Sequence, residues 1–224
     1  MNGRPPVPVF DVNETLSDMA PMGARFADVG APRHLAQLWF ATLLRDGFAL
    51  AAAGDNETFS ALGKGVLRQL LRESLDEPNL DAAVDHVMGG FLALPLHPDV
   101  PAGVRELRAA GFRLVTLSNG SAQVAQNLLA TAGIRDDFEA LLSVEDAGSW
   151  KPARRAYEYA ARSCAVGLSE MLLVAVHPWD INGAARAGMS TAWVNRRGVP
   201  YPDYFAEPTH TVVSLTELVT ALTG

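Results

Sequence analysis

The amino-acid sequence predicts an α/β protein, with a Rossmann-like parallel sheet core and an all-helical segment inserted after the first strand. Three observations lead to this fold class. A short apolar run ends at Asp11, residues 17–95 keep a helical period, and helices alternate with strands from residue 101 onward. Regular alternation of this kind is typical of an open parallel sheet with right-handed crossover connections.

The first strand is predicted at residues 7–10, immediately before Asp11 and the polar residues Asn13, Glu14 and Thr15. A buried carboxylate at a strand end is costly unless it has partners. The carboxyl ends of parallel strands form the ligand crevice of such sheets, so this position favours a chemical role for Asp11. A helix cap explains the same aspartate equally well.

The insert is predicted from apolar side chains that recur at helical spacing, without any strand-like alternation. Helices are expected at residues 34–50, 55–71 and 81–94. The chain is therefore expected to form two domains, an α/β core from residues 1–16 and 96–224 and a helical domain from residues 17–95.

The second half of the chain alternates helix and strand. Strands are predicted at residues 112–117, 138–144, 171–176, 191–194 and 211–213. Helices are predicted at residues 104–110, 121–132, 153–163 and 181–187, with a last helix at the C-terminus. The continuous apolar run of the third of these strands indicates that helices cover both of its faces.

The composition narrows the range of partners. The 224 residues are 49% hydrophobic, and 18 basic against 25 acidic residues give a net charge of −7. This balance disfavours nucleic acid and anionic membranes as partners. The single cysteine, Cys164, excludes an internal disulfide and a zinc site of several cysteines. No apolar run approaches the ~20 residues of a membrane span and no signal region precedes the first strand, so a cytoplasmic protein is expected.

Polar side chains follow the predicted strands at the ends that share one edge of the sheet. They are Asp11, Ser118, Asn119, Lys151, His177 and Asp180. A carboxylate, a hydroxyl, an amide, an ammonium and an imidazole would meet there. Such a set is sufficient for a covalent mechanism that an activated water completes.

Four stretches carry motifs in a recognisable order. They are DVNET at 11–15, LSNGS at 117–121, LLSVEDAGSWKPARRAYE at 141–158 and HPWDINGA at 177–184. Together they resemble the haloacid dehalogenase superfamily, and most closely its L-2-haloacid dehalogenase (type II) branch. The resemblance implies a helical cap domain at residues 17–95, a small 2-haloacid as substrate and no cofactor. It is also compatible with a homodimer.

Most members of this superfamily are magnesium-dependent phosphatases, and two positions argue against that activity here. Asn13 stands where those enzymes resemble DxDGT, and an amide cannot exchange a proton at neutral pH. Val176 stands where an aspartate helps to hold the metal, and hard cations need several oxygen ligands. We therefore expect a metal-free displacement, with a phosphatase or a non-catalytic binding protein of the same fold as the alternatives.

The resemblance assigns roles to the residues at the sheet edge. Asp11 would attack the halogen-bearing carbon, giving an aspartyl ester and free halide. Ser118 and Asn119 would hold the substrate carboxylate, although a helix cap also accounts for them. Lys151 would keep Asp11 ionised, unless it is a solvated surface lysine. Asp180 would orient Lys151 or the water.

Other substrate contacts are implied for Thr15, Phe40, Tyr157 and Trp179. Trp179 would line the halide pocket and Tyr157 would lie near the substrate, while core packing is the alternative for both. The family has a cap arginine that cradles substrate and halide, and Phe40 stands in its place. Arg45 lies more than a helical turn further on and faces another direction, so it is a poor substitute.

Glu14 and His177 also depart from the family pattern, which has Gly and Asn at these places. The two departures suggest that the residues compensate for each other: Glu14 orients His177, and His177 deprotonates the water that cleaves the ester. A loop histidine stacked by Pro178 is the alternative. The other histidines lack ligand spacing and are interpreted as structural or surface residues; they are His34, His86, His97 and His210.

Overall fold

The computed structural model describes residues 5–224, and its centre is one six-stranded sheet. The strands are β1 (Val7–Phe10), β2 (Leu114–Ser118), β3 (Phe138–Ser143), β4 (Met171–Ala175), β5 (Ser190–Val194) and β6 (His210–Val212). All neighbouring strands are parallel, in the order β3-β2-β1-β4-β5-β6. The predicted α/β fold class is confirmed, and β1 lies at the middle of the sheet.

Ten α-helices accompany the sheet in the part of the chain that the structure describes. They are α1 (Met22–Asp28), α2 (Leu35–Ala53), α3 (Phe59–Leu71), α4 (Glu77–Leu92), α5 (Val100–Ala109), α6 (Ala122–Thr131), α7 (Val144–Ala147), α8 (Arg154–Cys164), α9 (Pro178–Ala187) and α10 (Leu215–Thr223). Helices α1–α4 follow β1 without an intervening strand, as the sequence predicted. None of the described helices combines the length and apolar character needed to cross a membrane.

Three predicted strands were one residue too long at their carboxyl ends, and the last of them stops at Val212 instead of Val213. Hydrogen bonds explain the other two ends. Val144 belongs to α7, because the Ser143 hydroxyl accepts the backbone N–H of Glu145 and caps that helix. Val176 lies beyond β4, because its N–H donates to the Thr15 hydroxyl at 3.1 Å instead of joining the sheet. Both ends therefore turn away from the sheet where the polar side chains begin.

Separate apolar clusters cover the two faces of the sheet. Val9 packs in the cluster that includes α1–α4, α8 and α9, while Phe10 packs with α5, α6 and α10. Successive side chains of a strand point to opposite faces of the sheet, so β1 is buried on both sides. Asp11 follows directly and is only 4% exposed.

Trp150 joins the helical insert to the loop between α7 and α8, which carries the next residue, Lys151. Its indole N–H donates to the Glu57 carbonyl at 2.8 Å, and its ring stacks on Phe59 with centroids 6.2 Å apart. A Cβ at Gly47 of α2 would lie 2.5 Å from the same ring, so only glycine permits this approach. Packing of the insert thus helps to position the segment around Lys151.

Candidate active site

Three buried ionisable groups meet at the end of β1. Lys151 Nζ lies 2.8 Å from Asp11 Oδ1 and 2.6 Å from Asp180 Oδ2. The side chains of Lys151 and Asp180 are fully buried, and that of Asp11 is 5% exposed. Burying such ions is unfavourable unless each is paired and hydrogen-bonded. The alternative of a solvated surface lysine is therefore wrong.

The surroundings keep Asp11 ionised. Burial alone would raise the pKa of Asp11, but the charges of Lys151 and His177 and the hydrogen bonds from Lys151 and Thr15 bring it below its ordinary value. Burial also opposes the charge of Lys151, yet the two carboxylates raise the pKa of that ammonium. Burial raises the pKa of Asp180, which the Lys151 charge offsets only in part. These contacts favour an ionised Asp11 beside a protonated Lys151.

Thr15 holds the second oxygen of the Asp11 carboxylate. Its hydroxyl donates to Asp11 Oδ2 at 2.7 Å and accepts the Val176 N–H at 3.1 Å. Because Lys151 binds Oδ1 and Thr15 binds Oδ2, the rotation of the carboxylate is fixed. The hydroxyl of Thr15 is committed to Asp11 in this structure, and its contact with a substrate stays a prediction.

Asn119 positions the backbone of Lys151. Its side-chain amide donates to the Lys151 carbonyl at 3.3 Å and accepts the Lys151 N–H at 2.9 Å. Ser118 accepts the Gly120 N–H at 2.9 Å, which caps the turn before α6. Ser118 at the end of β2 and Asn119 directly after it therefore shape the loop before α6, and their binding of a substrate carboxylate stays a prediction.

Tyr157 of α8 holds the Asp180 side chain by a hydrogen bond. Its hydroxyl donates to Asp180 Oδ1 at 2.6 Å, so it points inward rather than outward. Burial, together with the Asp180 charge, raises the pKa of Tyr157 well above its ordinary value, and the hydroxyl keeps its proton. A Cβ at Gly183 would lie 2.6 Å from this hydroxyl, so α9 needs glycine there.

Three acceptors surround Nε2 of His177. The Asn13 carbonyl lies 3.2 Å away, Glu14 Oε2 lies 3.6 Å away and Asp11 Oδ2 lies 3.7 Å away. A carbonyl oxygen can only accept, so Nε2 carries a hydrogen in this arrangement. The structure thus brings His177 close to Glu14 and Asp11, which lie in the other half of the chain.

Aromatic rings flank His177. Trp179 stacks on it with centroids 5.0 Å apart, and the Phe40 ring lies 6.2 Å away. Trp179 also meets Phe48 edge-on at 4.8 Å. Such contacts restrict the rotation of the imidazole.

Two cavities adjoin Glu14 and His177, and both residues line both cavities. The larger has a volume of about 870 Å³ and lies against α2, while the smaller has about 400 Å³ and lies beside the loop that follows β5. The larger cavity is lined by, among others, Met22, Arg33, Phe40, Leu44 and Arg197. The Glu14–His177 pair therefore lies between the two cavities.

Phe40 presents an apolar ring to the larger cavity. Arg45 is 70% exposed, pairs with Asp46 at 2.8 Å and lines neither cavity, so it does not replace the missing arginine. Sequence reasoning overlooked Arg33 and Arg197, which line the larger cavity from opposite halves of the chain. Neither is among the arginines that form ion pairs within residues 5–224.

The residues at this edge do not fit the magnesium ion that many members of the superfamily bind. Lys151 Nζ already lies between the Asp11 and Asp180 carboxylates, and the side chain of Val176 has no lone pair to offer. Within the described residues, no three His, Cys, Asp or Glu side chains are grouped as metal ligands. Hard cations prefer several free oxygen ligands, which this lysine-bridged arrangement lacks.

His97 is a second histidine near the pair. Its Nε2 lies 3.0 Å from the Glu14 carbonyl, across 83 positions of sequence. It was interpreted only as a structural or surface residue, because no local motif marks this contact.

Comparisons with known proteins agree with this geometry. The sequence profile of haloacid dehalogenase-like hydrolases matches residues 9–188. The (S)-2-haloacid dehalogenase of Pseudomonas sp. (strain YL) is 32% identical over 214 residues, which cover 94% of this chain and 91% of that protein. The (S)-2-haloacid dehalogenase 4A of Burkholderia cepacia is 32% identical over the same shares of both chains.

A solved structure described as a dehalogenase with an intermediate complex is 29% identical and superposes with a TM-score of 0.90 over the whole of both chains. The profile match includes the β1 carboxylate and the ends of β2, β3 and β4, and the structural match spans the whole chain. The chain therefore belongs to the haloacid dehalogenase-like hydrolases, in the branch of the L-2-haloacid dehalogenases.

Proposed function

We propose that the protein hydrolyses the carbon–halogen bond of a short 2-haloacid through an aspartyl ester. The observation that carries this proposal is the buried Asp11 carboxylate, which Lys151 keeps ionised and which faces His177. The dehalogenase relatives support the substrate class, and the relative described with an intermediate complex supports a reaction that passes through an intermediate.

In the first step an oxygen of Asp11 attacks the C2 atom of the haloacid. An oxygen–carbon bond forms, the carbon–halogen bond breaks, and the halide leaves with the bonding electron pair. Lys151 holds the carboxylate in its ionised, nucleophilic form. The backbone donors between Ser118 and α6 provide a site for the substrate carboxylate, as helix N-termini do for anions.

In the second step water cleaves the ester. The Glu14 carboxylate, which faces Nε2–H of His177, takes one proton from the water while the water oxygen attacks the carbonyl carbon of the Asp11 ester. The bond between the carbonyl carbon and the substrate oxygen breaks and the 2-hydroxyacid leaves with the proton that the pair had taken. The second water proton passes to solvent, and Asp11 returns to its ionised form. The distances of 3.6 Å and 3.7 Å from His177 Nε2 to Glu14 and Asp11 leave the three groups around one small volume, which supports this assignment.

The helical insert would serve as a cap domain of residues 17–95 over a core domain of residues 1–16 and 96–224. Its two connections run side by side, since Ser17 pairs with Leu96 and the Asp18 N–H donates to the Pro95 carbonyl at 2.8 Å. The larger cavity would admit the substrate, with Arg33 and Arg197 attracting its carboxylate. A homodimer and a cytoplasmic location stay predictions.

Halide release from L-2-chloropropionate or a haloacetate tests the proposal. We expect release that a chelator does not reduce and that Asp11→Asn abolishes. Magnesium-dependent cleavage of a generic phosphate ester, without halide release, would instead support the phosphatase alternative. A ligand-induced rise in melting temperature without any turnover would support a binding protein of the same fold.

A further inference from the structure

Glu14 has an unusual backbone conformation. Its φ angle is 61°, in the left-handed region, and only one other non-glycine residue of the described chain, Ala165, has a positive φ. A residue with a Cβ loses roughly 1–2 kcal/mol there, so the surroundings must compensate. The family places glycine at this position, where the same conformation carries no such cost.

Hydrogen bonds on both sides of Glu14 hold this conformation. The Glu14 N–H donates to the Ser17 hydroxyl at 3.3 Å, and the Glu14 carbonyl accepts from His97 Nε2 at 3.0 Å. Because a carbonyl cannot donate, His97 carries its hydrogen on Nε2. The left-handed backbone in turn leaves the Glu14 carboxylate 3.6 Å from His177 Nε2.

His97 is itself anchored where the insert returns to the core. Its backbone N–H donates to the Leu16 carbonyl at 2.9 Å, beside the bridge between Ser17 and Leu96. The ring is half-buried and lines the smaller cavity together with Glu14 and His177. The same few residues thus connect the end of the insert to the loop that carries Glu14.

We infer that His97 is a positioning residue for ester hydrolysis: its Nε2–H holds the Glu14 carbonyl and thereby keeps the Glu14 carboxylate directed at His177. Without this donor, the strained Glu14 relaxes towards negative φ and its carboxylate turns away from the imidazole. The inference rests on the proposed function, in which the Glu14–His177 pair activates water. It concerns the second step alone, because His97 contacts neither Asp11 nor Lys151 through any hydrogen bond of the described chain.

The test uses His97→Phe, which keeps a ring but has no donor, and His97→Gln, which restores an amide N–H at similar reach. Single-turnover halide release reports the first step, and the mass of the Asp11 peptide reports accumulated ester. We expect His97→Phe to lower kcat about ten- to a hundred-fold, the range of a small misplacement of a catalytic group. Ester should accumulate, single-turnover halide release should stay unchanged, and His97→Gln should recover most of the rate.

A double mutant separates positioning from simple loss of structure. If His97 acts through Glu14, His97→Phe causes no further loss of ester hydrolysis in a Glu14→Gln background. The matched control is His86→Phe, which removes an exposed histidine paired with Asp28 and should leave both steps unchanged. An equal loss from His97→Phe in both backgrounds, or a loss of halide release as well, would overturn the inference.

Failure of this inference is distinguishable from failure of the proposed function. If His177→Ala accumulates ester while His97→Phe hydrolyses it at the normal rate, only the role of His97 is wrong. If neither His177→Ala nor Glu14→Gln slows ester hydrolysis, the pair does not activate water, and the role of His97 is overturned with it.

Discussion

Replacement of Lys151 by Met removes the one cation that the two buried carboxylates share while keeping a long, unbranched side chain. Lys151 and Asp180 are fully buried and the contacts are 2.8 Å and 2.6 Å long. Removing one partner of such a buried pair costs about 3–5 kcal/mol, because the remaining charges are uncompensated. For a chain of this size we expect a loss of about 6–20 °C in Tm near neutral pH.

The loss should depend on pH, and its sign follows from the carboxyl groups. In the wild type, Lys151 lowers the pKa of Asp11 below its ordinary value of 3.8. The ionised Asp11 therefore stabilises the folded state at pH values above 3.8, and this stabilisation is lost as the pH falls through the lowered pKa. Without Lys151, burial and mutual repulsion raise the pKa of both acids. The folded variant then binds protons more tightly than the unfolded chain, and its stability falls as pH rises above 3.8.

Urea unfolding of the wild type and Lys151→Met at pH 5 and pH 8 measures this difference, with the larger cost expected at pH 8. Lys64→Met is the matched control, because Lys64 pairs with Asp85 at 3.2 Å on the surface, where its side chain is 41% exposed. Such exposed pairs contribute about 0–1 kcal/mol. A cost for Lys151→Met at pH 8 that is as small as the cost of the control would refute the assignment of a buried charge cluster.

Two further predictions concern the support of Asp180 and the attraction of the substrate. Tyr157→Phe removes the hydroxyl that donates to Asp180 at 2.6 Å. The free energy of unfolding in urea should fall by about 1.5–3 kcal/mol, as expected for a hydrogen bond to a charged group. An unchanged unfolding midpoint would contradict this contact. Arg197→Gln should raise KM several-fold with kcat retained and should weaken the dependence of kcat/KM on salt, because exposed charges act at long range on anions. Arg105→Gln, which changes net charge equally away from the cavities, is its control, and equal effects of both variants would show that the position of Arg197 is irrelevant.

Much of the fold could be predicted because apolar periodicity directly reports which faces are buried. The continuous apolar run of β4 and the uninterrupted helical pattern of α2–α4 both have this origin. Strand ends were less predictable, since Val176 leaves the sheet to bind a threonine hydroxyl from another segment. Such tertiary hydrogen bonds have no signature in the local sequence.

The candidate site shows the same division. Asp11, Lys151 and Asp180 were predicted at one edge because each follows a strand of a parallel sheet, and the structure joins them within 2.8 Å. The contact from His97 to the Glu14 carbonyl could not be predicted, because it depends on a left-handed backbone and on how the insert returns to the core. The only sign of this contact in the sequence is Glu14 itself, which stands where the family has glycine.

The central claim is that Asp11 becomes esterified and that His177 is needed to free it. The most direct measurement is the mass of the Asp11 peptide after His177→Ala is mixed with L-2-chloropropionate and quenched. The account predicts one substrate-derived increment on Asp11, accompanied by about one equivalent of halide per active site. An unmodified Asp11 peptide from a variant that releases that halide, or continued turnover at the wild-type rate, would contradict it.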